Sequence, residues 1–328
     1  MRILVTGAAG LIGAPTTKLL ISQGHEVIGV DSFSDYYAPD MKKRRIKELG
    51  IEQNITELDI TDSHRLFSVF RENLPSAVIH LAARPGVRAE LSAWNEYNFS
   101  NIIGFQNVVA ATEKFSVDKF LYASSSSVYG RNAPIPFVES NIGDEVSSYY
   151  ASTKRQNEFV ANFLPGKGIS TIGLRFFTVY GPWGRPDMAL LRFITAGLSN
   201  LEIPLTGDLK TLRDFTHIED VVRIISELLD DTRFYKNEVF NLAASNPQSL
   251  QTVLTLLKDF GLNCRYKQLD VSQLDAKVTF GNTKKLTEFG ITPPALDIRS
   301  GLAQTLEWAR NQDLHDLRQW VYPERSID

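Results

Sequence analysis

Near its start the chain runs Arg2-Ile3-Leu4-Val5-Thr6-Gly7-Ala8-Ala9-Gly10-Leu11-Ile12-Gly13. Arg2–Thr6 is a short run with branched apolar residues, which reads as a strand. The glycines follow as G-x-x-G-x-x-G, and Thr16–Gln23 then reads as a helix closed by Gly24. Each glycine has a physical job: a tight turn, close backbone approach to a pyrophosphate, and close helix–strand packing. The helix N-terminus offers free N–H groups and a positive dipole end to phosphates. Glu26–Val30 reads as the next strand and ends in Asp31. A carboxylate there accepts from both ribose hydroxyls and repels a 2′-phosphate, so the pattern predicts NAD over NADP. Gly7, Gly10, Leu11, Ile12, Gly13 and Asp31 are the first candidate cofactor contacts.

Outward from that stretch the alternation continues. Ile55–Leu58 is a strand ending in Asp59, with Asp59-Ile60 placed to border an adenine ring. Asp62–Glu72 reads as a helix and Ala77–Leu81 as a central parallel strand. Its end, Leu81-Ala82-Ala83, is small enough for a cofactor to lie close. Asn95–Lys114 has a helical pattern that is apolar on more than one face, which predicts burial against both the sheet and a second subunit. Lys119–Ala123 and Ser170–Leu174 are further strands, and Glu238–Leu242 is expected at the edge of the same sheet. Strands separated by helices imply an α/β fold, a Rossmann-type doubly wound parallel sheet with ligands at the carboxyl ends of its strands. Met188–Ala196, Glu219–Leu229, Leu250–Phe260 and Ile298–Arg310 read as helices, and Pro204–Gly207 as a loop or short strand. The expected division is a dinucleotide domain of residues 1–177 plus about 217–244, capped by a smaller α/β C-terminal substrate domain of about 178–216 plus 245–328.

Composition sets the class. The chain has 328 residues, 43% hydrophobic and 22% charged, with a net charge of −3, which suits a globular protein with ample core. That balance gives no bulk electrostatic case for nucleic acid or an anionic membrane. No apolar run is long enough to span a bilayer, and an opening strand running into a loop argues against a signal peptide. The single cysteine, Cys264, fits a reducing compartment, predicts a cytoplasmic protein, and reads as structural. Lys42-Lys43-Arg44-Arg45 is the densest basic cluster and is short. None of the five histidines carries a motif for a metal or an activated nucleophile.

Two stretches carry chemistry. Ser147–Leu164 reads as a helix, and on it Tyr150 and Lys154 stand one turn apart on one face. A cation beside a phenol favours the phenolate and draws the pKa from its usual value near 10 towards a working general base. Ser124-Ser125-Ser126-Ser127-Val128-Tyr129-Gly130 stands at a strand end, where hydroxyls bond a sugar oxygen or a nearby phenol rather than build core. The alternatives are a solvated helix face and a serine-rich turn.

Taken together, the glycine loop, Asp31, the serine run, Tyr150-x-x-x-Lys154, Arg175–Pro182 and Arg213-Asp214-Phe215 resemble the extended short-chain dehydrogenase/reductase superfamily over almost the whole chain. Within it, the run from Gly173 to Ala189 looks like the signature of UDP-glucuronate 4-epimerases. Asp35-Tyr36-Tyr37 and Pro85-Gly86-Val87-Arg88 are similar to the same subfamily's early segments. Departures are Ala14-Pro15 after the glycine loop, where Ser-His is usual, and a missing Asn-Pro after Arg88.

The resemblance implies an NAD-dependent C4 epimerisation of a UDP-uronic acid through a 4-keto intermediate. Tyr150 would be the base, Lys154 its cationic support and Ser125 the hydroxyl on the 4-oxygen. Leu81, Ala82, Ala83, Asp59, Ile60 and Phe177 join the cofactor contacts. Arg88, Ser126, Ser127, Thr178, Arg185, Arg213 and Asp275 join the substrate contacts, with no metal. The 4-keto intermediate of a uronate is a β-keto acid, so an epimerase has to hold the carboxylate where carbon dioxide is not lost; Arg185 and Thr178 are the implied clamp. Sugar-nucleotide dehydratases that resemble this chain carry Asp-Glu where Ser126 and Ser127 stand, and decarboxylases commonly carry Glu in place of Ser127. The alternatives are a UDP-glucuronate decarboxylase, a neutral UDP-hexose 4-epimerase, and a non-catalytic NAD-binding regulatory protein. A homodimer pairing Asn95–Lys114 with Ser147–Leu164 is the implied assembly.

Overall fold

The computed structural model describes residues 1–87, 91–205, 208–268 and 278–323. Seven strands form one parallel sheet in the order Lys236–Leu242, Ser170–Phe176, Lys119–Ser125, Ala77–His80, Arg2–Thr6, Glu26–Asp31, Ile55–Glu57. The order reverses between Arg2–Thr6 and Ala77–His80, where Thr6 pairs with His80. In a doubly wound sheet that reversal opens a crevice at the strand ends. The two segments that leave it are the glycine loop and Leu81-Ala82-Ala83. Glu238–Leu242 lies at the sheet edge as expected, within the longer strand Lys236–Leu242.

Side-chain alternation sorts the core into two layers. Ile3 and Val5 join Leu20 of helix Gly13–Ser22 and Ile224, Ile225 and Leu228 of helix Ile218–Asp230. Leu4, Val78 and Phe120 point the other way, onto Phe70 of helix Ser63–Asn73 and Phe105 and Val108 of helix Gly104–Lys114. The interior strand Ser170–Phe176 is buried along its whole length, as a parallel strand covered on both faces must be. A separate core gathers Phe193 of helix Ala189–Leu198, Leu254 and Leu257 of Leu250–Asp259, Leu302 and Leu306 of Ile298–Arg310, and Leu317 and Trp320 of Leu314–Val321. Within Pro204–Gly207, residues up to Leu205 belong to strand Glu202–Leu205, and residues 206–207 lie outside the described part.

Two elements differ from the sequence expectation. The helix expected over Asn95–Lys114 is α-helical at Trp94–Tyr97, π-helical at Asn98–Ile103 and α-helical again at Gly104–Lys114. The π turn sets Asn101 inward, where its amide donates to the Arg84 carbonyl (3.0 Å) and Thr153 Oγ1 (3.2 Å) and accepts from the Arg84 N–H (2.8 Å). Such turns concentrate at functional sites. The basic cluster, to which the sequence assigned no element, lies on a helix, Pro39–Glu48, with Pro at its first turn. Lys42 and Arg45 face inward beside Met41 and Ile46, and of the four clustered residues only Lys43 is exposed. Arg45 is completely buried and donates to the carbonyls of Ala9 and Trp183, so it ties the glycine loop to the Tyr180–Trp183 segment.

The glycine loop leaves no room for side chains. A Cβ on Gly13 would stand 2.1 Å from the Gly7 carbonyl oxygen, whereas one on Gly166 would meet nothing within 4 Å. Gly13→Ala is therefore expected to lose about 2 kcal/mol of stability through overpacking, together with retained cofactor. Thermal melting and the NAD content of purified protein check this, with Gly166→Ala as the neutral comparison.

Candidate active site

The strand ends open into a cavity of about 1350 Å³, larger than one drug-sized ligand needs. Its lining brings together Gly7, Gly10, Leu11, Ile12, Gly13, Asp31, Asp59, Ile60, Leu81, Ala82 and Ala83 at one end. Ser125, Ser126, Ser127, Tyr150, Lys154, Phe177, Thr178, Arg185 and Arg213 line the other. Arg88 and Asp275 lie outside the described residues.

At the first end, Gly7 has φ +70° and a Cβ there would be 2.7 Å from the Ala82 amide nitrogen. The two chain segments thus pass in backbone contact and leave a groove lined by N–H groups and small side chains. Asp31 is buried. It accepts from the Ala9 N–H through Oδ2 (3.0 Å) and the Phe33 N–H through Oδ1 (2.8 Å), with Lys42 Nζ 3.8 Å away. A carboxylate so held keeps acceptor capacity for ribose hydroxyls. Cradle and acceptor fit a dinucleotide with an unmodified ribose. Asp59 accepts from the Thr61 N–H and keeps its place at the rim.

At the other end, Ser125 terminates its strand opposite Phe176. Its Oγ accepts from the Ser127 N–H (3.2 Å) and the Ser127 hydroxyl (3.0 Å), so its own proton is left to turn towards the cavity that Tyr150 also lines. Helix Tyr149–Ala161 starts at Ser148, whose side chain caps the Ala151 N–H. Lys154 Nζ is buried, donates to the Ala123 carbonyl at 2.9 Å, and sits 5.9 Å from the Tyr150 ring centre.

The electrostatics depart from the sequence expectation for Tyr150. Burial holds the phenol above its usual range, and Arg185 and Ser125 offset this only in part. Lys154 is pushed down to about 8 by burial, with Glu158 opposing the shift. Glu158 is itself held by Arg175 through two N–H···O bonds of 2.9 Å and by the Ser124 hydroxyl. Sequence reasoning passed over Glu158, although its position one turn beyond Lys154 on the same helix face was available as a signal.

Arg185 was expected to face a carboxylate, and in the structure it already holds one. Its Nε donates to Asp187 Oδ1 at 3.0 Å and its Nη2 to Asp187 Oδ2, while the Tyr36 hydroxyl donates to the same Oδ2 at 3.1 Å. Burial raises the Asp187 pKa, but the Arg185 pairing more than reverses this and holds it below the usual range. The Tyr36 ring lies under both Arg185 (5.7 Å) and Arg84 (5.1 Å). Tyr36, Arg84, Asn101 and Asp187 were not singled out from sequence as site residues, because their meeting depends on segments far apart in the chain. Cys264 donates to the Phe193 carbonyl and its thiol is pushed up to about 11 by burial, which fits a structural cysteine.

Residues 3–243 match the NAD dependent epimerase/dehydratase family. The chain is 37% identical over 314 residues to a UDP-glucuronate 4-epimerase of Thermodesulfobacterium geofontis, covering 94% of this chain and 95% of that protein. Among solved structures, a UDP-glucuronic acid 4-epimerase from Bacillus cereus in complex with UDP-glucuronic acid and NAD superposes with a TM-score of 0.87 at 29% identity, covering 94% of this chain and 99% of that one. A UDP-glucose 4-epimerase of Thermotoga maritima with UDP-glucose superposes with a TM-score of 0.85 at 28% identity and the same coverage.

Lys154 is charged below about pH 8 and loses its proton as pH rises through that value, so the cation beside Tyr150 is present only on the acid side. Activity is expected to fall on the alkaline side accordingly. Glu158→Gln removes the carboxylate that favours the ammonium, and should move the alkaline limb of the kcat/KM profile to lower pH; an unmoved limb would contradict this electrostatic reading.

Proposed function

The chain belongs to the NAD dependent epimerase/dehydratase family, and on that premise we propose that it is an NAD-dependent 4-epimerase of a UDP-uronic acid, interconverting UDP-glucuronate and UDP-galacturonate. The observation that carries the uronate reading is Arg185, a guanidinium at the cavity wall close enough to Tyr150 to influence its pKa.

Each residue then has a task. The glycine loop and Asp31 would hold NAD, which would supply the hydride acceptor and donor for C4. Tyr150 removes and later restores the proton of the 4-hydroxyl. Ser125, with its Oγ acceptor capacity occupied by Ser127, donates to the 4-oxygen or the phenol as the proton moves. Lys154 supports the phenolate, and Asp31 would accept from cofactor ribose hydroxyls. Phe177 closes the cofactor side, and Arg213 pairs with the nucleotide diphosphate.

The 4-keto uronate loses carbon dioxide when the C5–carboxylate bond lies parallel to the carbonyl π system. Arg185, through the Nη1/Nη2 edge that Asp187 leaves open, and the Thr178 hydroxyl hold the carboxylate out of that alignment. Ser126 and Ser127 supply no carboxyl group for dehydration. A second reading, a neutral UDP-hexose 4-epimerase, is favoured by one observation: the Asp187 carboxylate already neutralises Arg185.

NMR of products from a panel of nucleotide sugars tests the reading. UDP-glucuronate should yield its C4 epimer with little carbon dioxide. A pentose product would favour a decarboxylase, and turnover of UDP-glucose alone would remove the clamp. Tyr150→Phe should lower kcat about a thousandfold; unchanged activity would remove the assigned base.

The same proposal includes the two-domain division and a cytoplasmic homodimer. Phe99 and Ile103 on the π turn, with Phe159 and Phe163 at the end of the Tyr150 helix, are 56%, 40%, 64% and 64% exposed. A second copy burying these side chains removes an apolar face from water. Phe159→Asp is expected to halve the particle mass by light scattering, and a parent monomer would contradict the dimer.

A further inference from the structure

Arg185 has five N–H groups, and the structure commits two of them to a residue of the same loop. Nε and Nη2 grip both oxygens of Asp187 side-on, which leaves the end-on edge, the Nη1 pair and the second Nη2 proton, facing elsewhere. Tyr36 fixes the other side of this unit by donating to Asp187 Oδ2 and placing its ring beneath the guanidinium. Tyr36 is in turn pinned by Gly86, where a Cβ would come within 2.8 Å of its hydroxyl. The guanidinium is therefore oriented and charge-paired by the protein alone.

We propose that Asp187 is a positioning residue that sets substrate specificity: it holds Arg185 end-on towards the sugar and cancels part of its charge, so that the site tolerates a neutral C6 group as well as a carboxylate. This rests on the reading of Arg185 as the contact to the sugar's C6 substituent. A carboxylate at the free edge feels the attraction of Arg185 and, from farther off, the repulsion of Asp187. A hydroxymethyl group at the same edge faces an ion pair rather than an uncompensated cation, which would be costly to desolvate. Asp187 thus weakens the preference for a uronate from both directions while preserving the geometry that orients it. Its side chain is 39% exposed, so solvent moderates the effect.

The test compares the parent enzyme with Asp187→Asn, which keeps the shape and one acceptor while removing the charge. The readout is the ratio of kcat/KM for UDP-glucuronate to that for UDP-glucose. Asp187→Asn should raise the ratio about threefold or more, with the KM for UDP-glucuronate falling and kcat falling with it as the product uronate leaves more slowly. Tyr36→Phe loosens the same carboxylate without removing its charge, and should leave the ratio within about twofold of the parent. If Asp187→Asn reduces both substrates alike, or if Tyr36→Phe raises the ratio equally, Asp187 is only a structural support and the proposal fails while the uronate reading stands. If the parent does not turn over UDP-glucuronate at all, the uronate reading and this proposal fall together. Thermal melting of each variant with NAD present verifies that ratios are compared between folded proteins.

Discussion

Backbone contact between Gly7 and the Leu81–Ala82 peptide is the constraint on which the site depends. It occurs where the strand order reverses, and a single added carbon at Gly7 would intrude to within 2.7 Å of Ala82. Keeping those two segments together aligns the glycine loop, Asp31 and the small residues after Ala77–His80 into one groove. The next strand outward, Lys119–Ser125, then presents its serines at the far end of the same groove. Thr6 reinforces the junction: its hydroxyl accepts from the Ala82 N–H and shares a hydrogen bond of 2.8 Å with His80 Nδ1. Burial keeps that imidazole neutral, with its pKa down at about 3.

Around this groove the protein places buried cations and holds them with oxygens. Arg45 is bound by two carbonyls, Lys154 by the Ala123 carbonyl, and Arg175 by Glu158. A buried charge without such partners would neutralise or unfold its surroundings. Lys154 shows the balance most clearly, since burial has already drawn its pKa to about 8 and the Glu158–Arg175 pair stands behind it. The Tyr150 phenol lies above its usual range in the protein alone. Further positive charge beside the phenol would favour the phenolate, and a bound NAD would supply it.

Legibility in the sequence followed locality. The seven-stranded parallel sheet and the glycine turn were readable because apolar runs, strand length and glycine spacing are properties of short segments. Helix Pro39–Glu48 was not, because the inward positions of its face include Lys42 and Arg45, which look like solvated charge until their carbonyl partners are seen. The π turn at Asn98–Ile103 was hidden inside a continuous helical pattern, and its role emerges only when Asn101 meets Arg84 and Thr153. Arg185 stood out in the sequence, whereas its pairing with Asp187 and Tyr36 did not: the fold has to bring Tyr36 across from the second strand's loop. The direction of the Tyr150 shift was misjudged for the same reason, since spacing gives the distance to Lys154 but not the depth of burial.

The central claim is that Tyr150 and NAD held in one cavity oxidise and re-reduce the same carbon without exchange with water. UDP-glucuronate deuterated at C4 tests it most directly. The account predicts that the galacturonate product keeps the deuterium at C4, on the opposite face, with no hydrogen acquired there from solvent. Loss of the label to water, or a product bearing solvent hydrogen at C4, would contradict it.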